Sequence, residues 1–502
     1  MTTTTHGTGT TAEPGKYGVE LNGINVIAED ERKGEPRDLF WPWFAANVSV
    51  LAIPYGAFIV GFGVSFWQAT IAAIVGIVLS FALCGVVALA GKRGSAPTMV
   101  LSRAAFGVKG NALPTFLSWV LLVGWETVLV SLASLGTATV FDELGWGGGE
   151  GVKVLGFLVT AVLVVTAGVL GFDVIMRLQR WITLATLVLT VGFIILTLDE
   201  VDWTAVTDAK SGSTQAFIGA LALVATGFGV GWANTAADYS RYLPRGSSSR
   251  GVFGWTTIGG AAAPVVLTVF GIMLALSSQD LSDAIGGDPI GALTTLLPTW
   301  YLVPFFVVAI LGLVGGAVLD IYSSGLALLT LGVKVPRPVA AAIDGVIMVI
   351  GAIYVVFVAD DFIGPFMGFL ITVGVPIAAW AGVFVADLLL RHQPYADAEL
   401  YDTRGRYGSV HWPAVLLVVV GTFLGWGLVT NGLADWLTWQ GYLLEPFGLG
   451  SKVDGAWAYA NLGVFVAFAV GFLGWLLLGR STVRRQEQMG SPGLADRERV
   501  EH

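Results

Sequence analysis

The stretch ATGFGVGWANTAADYSRYLP, residues Ala225–Pro244, interrupts a long apolar segment in the middle of the chain. It contains three alternating glycines, Gly227, Gly229 and Gly231, followed by Trp232 and a polar end. Glycines allow helices to pack closely, but they also occur where a helix is interrupted. At membrane depth, backbone leaves helical geometry only where protein or a water-filled cavity satisfies its polar groups. The stretch therefore predicts a broken helix that borders a cavity.

The composition around this stretch is that of a membrane protein. The chain has 502 residues, of which 55% are hydrophobic and only 12% are charged, whereas soluble proteins are typically about 25% charged. Apolar runs long enough to cross a bilayer recur along the chain. The single cysteine, Cys84, excludes an intramolecular disulfide. We therefore predict an all-α membrane protein with many spans.

These apolar runs predict twelve transmembrane helices. We place them at residues 39–63, 64–91, 113–141, 152–171, 179–198, 215–237, 252–278, 302–331, 339–358, 366–390, 412–436 and 457–479. The transporter domain would then cover residues 39–479. Residues 1–38 and 480–502 would form polar tails, and the first tail, which opens with a Thr-rich run, would be partly disordered.

The loop charges indicate an orientation. When the loops are assigned alternately to the two sides, 23 of the 26 Lys and Arg residues fall on the side of the N-terminus. Only Lys153, Lys210 and Lys452 fall on the other side. Because cytoplasmic loops carry the excess of basic residues, we predict a multi-pass protein of the plasma (inner) membrane with both termini in the cytoplasm.

Residues typical of catalytic and metal-binding motifs are missing. The chain has no HExxH, CxxC or Walker sequence, and its histidines at positions 6, 392, 411 and 502 fall in predicted tails or loops. It also has no basic stripe with interleaved aromatic residues of the kind that binds nucleic acid. We therefore expect no enzymatic activity, no metal site, no cofactor and no nucleic-acid partner.

A second interruption lies in the first predicted span. The segment NVSVLAIPYGAF, Asn47–Phe58, combines polar residues with Pro54 and Gly56. One interrupted span opens the first five helices and the other opens the next five. Interrupted helices at matching positions in two halves indicate an inverted-repeat transporter. We assign the repeats to residues 39–198 and 215–390, and two extra helices to residues 412–479.

Several motifs together resemble those of the nucleobase:cation symporters of the purine/cytosine permease type. The resemblance runs from about Gly18 to Arg406, and its motifs are GINVIAEDERKGEPRDLFWPWFAANVSV (Gly23–Val50), SRAAFGVKGNALP (Ser102–Pro114), GWET (Gly124–Thr127), GWANTAADYSRYLP (Gly231–Pro244) and LDIYSSGLALLTLG (Leu319–Gly332). The resemblance implies a LeuT-like fold, with a five-plus-five inverted repeat followed by two C-terminal helices. It also implies transport of a small heterocycle together with a cation.

The resemblance implies a substrate site built around two tryptophans. In this family a flat heterocycle lies between an indole of the third helix and one of the sixth, and the matching residues are Trp125 and Trp232. Each follows a glycine, Gly124 or Gly231, which would let the ligand approach the backbone. Ser49 matches a position of the first helix that the family uses near its ligand. Stacking on an aromatic ring contributes roughly 1–3 kcal/mol per base in other proteins.

The amide residues expected from the family are absent. An amide often follows the tryptophan of the third helix by four positions, where this chain has Leu129. The eighth helix commonly carries two amides, where this chain has Gly316 and Asp320. A charged side chain at membrane depth is a functional candidate by default. Asp320 is therefore predicted to contact the substrate and to carry a coupling proton, with Glu126 as a second proton-coupling candidate.

Two further departures bear on the coupling ion. Sodium-coupled members of the family use hydroxyl groups of the eighth helix at positions that are Val314 and Gly315 here. Neither residue has a hydroxyl, so proton coupling is favoured over sodium. Four other motif residues, Ser102, Arg103, Asp238 and Arg241, would lie at the boundary between membrane and cytoplasm. We predict a gating or structural role for them.

We therefore predict a secondary transporter that imports a purine or pyrimidine base, cytosine first, by proton symport with alternating access. Uptake of another nitrogen heterocycle, such as a vitamin, hydantoin or allantoin, is the main alternative, and sodium coupling remains open with it. An intramembrane enzyme would need a catalytic set that the sequence lacks. A channel is the remaining alternative, but broken helices with aromatic stacking indicate saturable binding.

Overall fold

The structure is a computed structural model that describes residues 20, 22–359, 362–432 and 434–489. Within these ranges every regular element is a helix, and we number the α-helices in chain order. Of the predicted N-terminal tail, residues 1–19 and 21 lie outside the described ranges, whereas residues 20 and 22–38 are described. Residues 490–502 of the predicted C-terminal tail also lie outside these ranges.

The first eight helices cover the N-terminal part of the chain. They are α1 (Phe40–Asn47), α2 (Pro54–Val60), α3 (Phe66–Gly94), α4 (Thr98–Phe106), α5 (Ala112–Glu143), α6 (Glu150–Leu170), α7 (Phe172–Thr197) and α8 (Trp203–Asp208).

Ten further helices follow. They are α9 (Thr214–Ala225), α10 (Ala236–Ser240), α11 (Ser249–Ser277), α12 (Gln279–Gly287), α13 (Thr299–Thr330), α14 (Arg337–Phe357), α15 (Ile363–Leu390), α16 (Trp412–Trp426), α17 (Gly463–Leu478) and α18 (Arg480–Met489).

The described residues contain nine helices that are long and apolar enough to cross a membrane. Two bent pairs, α1 with α2 and α17 with α18, bring this number to as many as 11. The all-α membrane fold is thus confirmed, whereas the count of twelve is not. The difference lies in α16, whose 15 residues span only about 22 Å at 1.5 Å per residue.

The first predicted break separates α1 from α2 by a bend of 66°. Asn47 ends α1, and its side-chain amide donates to the carbonyl oxygen of Trp43 at 2.8 Å. Ser49 is extended, and its hydroxyl accepts a hydrogen bond from the backbone of Leu51 at 3.3 Å. Pro54 then begins α2, where a missing N–H group costs no intrahelical hydrogen bond.

The second predicted break lies between α9 and α10. A π-turn at Thr226–Val230 contains Phe228 in a non-helical conformation, with φ −114° and ψ −109°. The glycines here permit close contacts. A Cβ atom on Gly227 would lie 2.5 Å from the ring of Tyr55, and one on Gly229 would lie 2.2 Å from the backbone of Ser80 in α3. The opening stretch thus contains a broken helix that packs against other backbone.

Helix packing brings the two breaks to the centre of the bundle. The long helix α3 packs along α11, and α5 packs along α13. The first half-helix, α1, lies against α7, α11 and α13. The pairs α3 with α11 and α5 with α13 join corresponding members of the two predicted repeats. The repeat boundaries themselves stay predictions.

Candidate functional site

A cavity lies where the two breaks meet α5 and α13. Its volume is about 50 Å³. The five residues predicted to contact substrate all line this cavity: Ser49, Trp125, Gly231, Trp232 and Asp320. The fold therefore brings together side chains that are up to 271 positions apart, from 49 to 320. Their role in binding stays a prediction.

Aromatic neighbours hold the two tryptophans in place. The ring of Trp125 meets Phe366 nearly perpendicularly, with 5.8 Å between the ring centres. The ring of Trp232 meets Trp43 at 88°, also with 5.8 Å between centres. Both indoles are partly exposed and border the cavity. Packing against these rings thus supports the orientation of both indoles.

The two glycines that precede these tryptophans differ in what they contact. Gly231 lines the cavity, as predicted from its position. Gly124 was predicted to let the ligand approach the backbone. This prediction was wrong, because a Cβ atom there would lie 2.2 Å from the ring of Phe369. Gly124 makes room for a neighbouring side chain and does not border the ligand space.

Two polar side chains of the cavity have an atom without a hydrogen-bond partner among the described residues. Asp320 is 2% exposed, and its Oδ2 atom has no hydrogen-bond partner among the described residues. The hydroxyl of Tyr55 is buried and lacks a partner within the same part of the chain. Tyr55 was missed in the sequence, although its place directly after Pro54 in the first break is a usable signal. Both groups are free to bind a polar ligand.

The second acid, Glu126, lies outside this cavity. It is fully buried and points to the interface of α5 with α13 and α14, beside Ser324 and Asp344. Neighbouring helix positions are about 100° apart, which explains why Glu126 turns away while Trp125 faces the cavity. The sequence analysis missed Asp344, an isolated acid in the otherwise apolar α14.

A glutamine occupies the junction of α1, α7 and α13. The side-chain amide of Gln179 donates to the carbonyl oxygen of Gly315 at 2.7 Å. A Cβ atom on Gly315 would lie 3.1 Å from the carbonyl oxygen of Ala45. At Gly315, one of the two positions where the resemblance implies hydroxyls in sodium-coupled members, this chain thus has a tight backbone contact and an amide. Gln179 was also missed, because it lies between Arg177 and Arg180 in the polar first part of α7.

Two of the predicted gating residues lie at the face of the bundle that carries the N-terminal segment, which we call the N-terminal face. Asp238 accepts hydrogen bonds from the backbone and hydroxyl of Thr98 at 2.7 and 2.8 Å. Arg241 donates to the carbonyl oxygen of Gly23 at 2.8 Å and lies 3.6 Å from the carboxylate of Glu20. The contacts of Arg241 connect the N-terminal segment to the end of α10, and those of Asp238 connect α10 to the start of α4.

The other two residues belong to α4. The hydroxyl of Ser102 accepts a hydrogen bond from the indole of Trp380 at 3.0 Å. Arg103 donates to the carbonyl oxygens of Leu400 and Thr330 at 3.2 and 3.1 Å. Neither residue contacts the cavity. A structural or gating role remains our prediction for both, as it does for Asp238 and Arg241.

Residues 26–444 match a family described as permease for cytosine/purines, uracil, thiamine, allantoin. This chain belongs to that permease family. Its membership identifies it as a membrane transporter of the nucleobase–cation symport type, and not as an enzyme.

Individual relatives agree with this assignment. YxlA of Bacillus subtilis (strain 168), provisionally named a purine-cytosine permease, is 24% identical over 417 residues, which cover 81% of this chain and 87% of YxlA. The purine-cytosine permease FCY21 of Saccharomyces cerevisiae (strain ATCC 204508 / S288c) is 24% identical over 278 residues, which cover 52% of this chain and 48% of FCY21.

Solved structures show the fold. Mhp1, a nucleobase-cation-symport-1 family transporter in a closed conformation with bromovinylhydantoin bound, has a TM-score of 0.70 at 17% identity. The match covers 93% of this chain and 96% of Mhp1. A Na⁺-coupled sialic acid symporter has a TM-score of 0.58 at 13% identity, covering 90% of this chain and 91% of the symporter. The predicted LeuT-like fold is thereby confirmed.

Proposed function

We propose that this permease imports a purine or pyrimidine base, cytosine first, together with a proton by alternating access. The observation that carries the proposal is the cavity between the two helix breaks, where two indoles and one unpaired carboxyl group come together. Half-helix ends at a midplane cavity are typical of secondary transporters of inverted-repeat design.

The cavity suits a flat heterocycle. Trp125 and Trp232 offer aromatic surfaces for stacking, which tolerates any base because each base has a π-face. A protonated Asp320 can both donate and accept a hydrogen bond, as the ring nitrogen and carbonyl groups of a base require. The hydroxyl of Tyr55 adds a second polar contact. With Leu129 and Gly316 in place of amides, these groups supply the polar recognition.

Proton coupling is supported by two features of α13. Asp320 is buried in the cavity, and no described basic side chain forms an ion pair with it. A buried carboxyl group without a cationic partner favours its neutral form. At Gly315, the amide of Gln179 places N–H donors against a carbonyl oxygen, whereas a hard cation such as sodium requires several oxygen ligands.

A second candidate substrate is another nitrogen heterocycle, such as a vitamin, hydantoin or allantoin. The family description includes thiamine and allantoin, and the solved structure of Mhp1 contains a hydantoin. The specific observation in favour of this alternative is the loss of amides at Leu129 and Gly316, which changes the polar groups that face the ligand. Sodium coupling belongs to the same alternative.

We further propose that the N-terminal face is cytoplasmic and that the protein resides in the plasma (inner) membrane. The proposal rests on the loop charges, because 23 of 26 basic residues fall on this side when the loops are assigned alternately.

The proposal can be tested with purified protein in two stages. A thermal-shift screen of bases and other heterocycles identifies the ligand, and we expect cytosine or a related base to give the largest stabilisation. Uptake into liposomes is then measured with a pH gradient, with a protonophore, and with sodium replaced by choline. Accumulation that requires the pH gradient but not sodium supports the proposal. Strict sodium dependence contradicts the coupling assignment, and stabilisation by hydantoins alone favours the second candidate.

A further inference from the structure

Two buried acids lie behind the cavity, in the interface of α5, α13 and α14. Glu126 and Asp344 are both fully buried. Both oxygens of Glu126 lack hydrogen-bond partners among the described residues, as does Oδ2 of Asp344. A buried carboxyl group with no partner for either oxygen is rare in structural positions. This arrangement therefore points to a group that binds and releases a proton.

A hydroxyl group lies near both acids, and one of the acids contacts an indole. Ser324 lies beside both carboxyl groups, and its hydroxyl donates to the carbonyl oxygen of Ile321 at 3.3 Å. Oδ1 of Asp344 accepts a hydrogen bond from the indole of Trp119 at 2.8 Å. The three helices pack tightly here, since a Cβ atom on Gly325 would lie 3.3 Å from the backbone of α14.

The charged groups that face Glu126 are all acidic. Asp344 of α14 and Asp320 of α13 are close enough to interact electrostatically with it. In the described part of the chain, no lysine or arginine forms an ion pair with any of the three acids. Three ionised carboxyl groups at this depth would repel one another. The three acids are therefore not all ionised at the same time.

The three acids also differ in depth. Glu126 is 14 residues into α5, or about 21 Å from the N-terminal face at 1.5 Å per residue. Asp344 and Trp119 are each seven residues into α14 and α5, or about 10 Å from the same face. Ser324 is one helical turn closer to the end of α13 than Asp320. Asp320 is ten residues before the end of α13, or about 15 Å from the same face. Only the part of the series from Glu126 to Ser324 and Asp344 therefore descends towards the N-terminal face.

We propose that Glu126 and Asp344, with Ser324 between them, form a proton-release route from Asp320 towards the N-terminal face, separate from the cavity that holds the heterocycle. Each step transfers one proton from a neutral carboxyl group to an ionised one, directly or through the hydroxyl. This inference rests on the proposed proton coupling. It assigns to Glu126 a role in proton transfer and none in substrate contact.

The experiment compares the full-length wild type with Glu126→Gln and Asp344→Asn in liposomes, using the heterocycle found in the thermal-shift screen. Three readouts are needed: binding of the heterocycle, exchange of labelled for unlabelled heterocycle at equal concentrations, and heterocycle-driven proton entry followed with an internal pH dye. Glu143→Gln, at the exposed far end of α5, is the matched control and should behave as the wild type.

We expect both amide variants to bind with affinity within about twofold of the wild type and to keep exchange, which needs no proton release, while proton entry falls at least tenfold. Wild-type proton entry in both variants overturns the proposal. Equal loss of all three readouts, including in Glu126→Asp, shows a structural role and overturns it too. If the amide variants do not fold, Ser324→Ala decides: slower proton entry with intact exchange supports the route, and unchanged proton entry refutes it.

Failure of the underlying function gives a different result. If the wild type itself moves no protons with the heterocycle, the coupling proposal fails and the route fails with it. If the wild type moves protons and the variants do so equally, only the route is refuted.

Discussion

The side-chain amide of Gln179 in α7 donates a hydrogen bond to the carbonyl oxygen of Gly315 in α13, at 2.7 Å. This bond joins two neighbouring helices close to the first helix break. A Cβ atom on Gly315 would lie only 3.1 Å from the carbonyl oxygen of Ala45 in α1. Helices α1, α7 and α13 thus pack against one another at this junction. This is the position at which the resemblance implies a sodium site in sodium-coupled members. The first prediction therefore concerns the coupling ion.

We predict that sodium does not stabilise the wild type and that Gln179→Ala lowers its stability. Losing one buried hydrogen bond costs about 1 kcal/mol, and the melting temperature should fall accordingly in detergent. Gln279→Ala, which removes an exposed hydrogen bond to Asp283, is the matched control and should have a smaller effect. A rise in the wild-type melting temperature when choline is replaced by sodium would argue for a cation site and against our coupling assignment.

Stacking predicts the effect of removing either indole. Trp125→Ala and Trp232→Ala should each weaken heterocycle binding by roughly 1–3 kcal/mol, and the Phe variants should retain part of it. The measurement is a binding titration with labelled heterocycle. Trp181→Ala, whose side chain is 72% exposed on the outside of α7, should bind as the wild type does. Unchanged affinity in both Ala variants would remove the stacking model.

Asp320→Asn should separate binding from accumulation. The amide keeps hydrogen-bonding capacity but cannot titrate, so binding should persist while pH-driven accumulation is lost. A coupled proton carries one charge, and a membrane potential of 100 mV contributes about 2.3 kcal/mol to accumulation in the wild type. Wild-type uptake should therefore rise as the external pH falls. Concentrative uptake by Asp320→Asn would place the coupling site elsewhere, with Glu126 as the next candidate.

The orientation can be tested with single cysteines. Lys109→Cys lies on the N-terminal face and Asp283→Cys on the opposite face, and both positions are exposed. An impermeant maleimide added to intact cells should label position 283, and should label position 109 only after permeabilisation. The wild type should stay unlabelled because Cys84 is fully buried. The reverse pattern would invert the orientation.

The sequence contained most of the information on the fold, because the decisive signals are local. Glycine at 229 and proline at 54 mark breaks that the structure has at the same places. The span count was less accurate at α16, since the residues after Trp426 remain apolar while the chain there turns. The turn makes contacts with the loop that follows it, such as the hydrogen bond from the backbone N–H of Leu443 to the carbonyl oxygen of Gly427.

The site could be predicted only in part from the sequence, because it depends on contacts between residues far apart in the chain. An isolated acid in a largely apolar helix, such as Asp344, reveals that it is buried but not which neighbour it faces. Gln179 lies between Arg177 and Arg180, so its burial has no such signal in the sequence.

The motif resemblance supplied Trp125 and Trp232, because their partners are implied by the family. It supplied nothing for Asp344, whose contact with Trp119 depends on how α14 packs against α5.

The packing of the second break against α3 has a mechanical consequence. The backbone N–H of Gly229 donates to the hydroxyl of Ser80 at 3.1 Å, and the thiol of Cys84 donates to the Gly229 carbonyl oxygen at 3.0 Å. With no side chain between them, α3 and this break resist sliding past each other. We therefore expect α3 and the second break to move together as one rigid body when the transporter changes state. The relative movement that opens the cavity would then occur at its opposite wall, where α5 and α13 face Trp232.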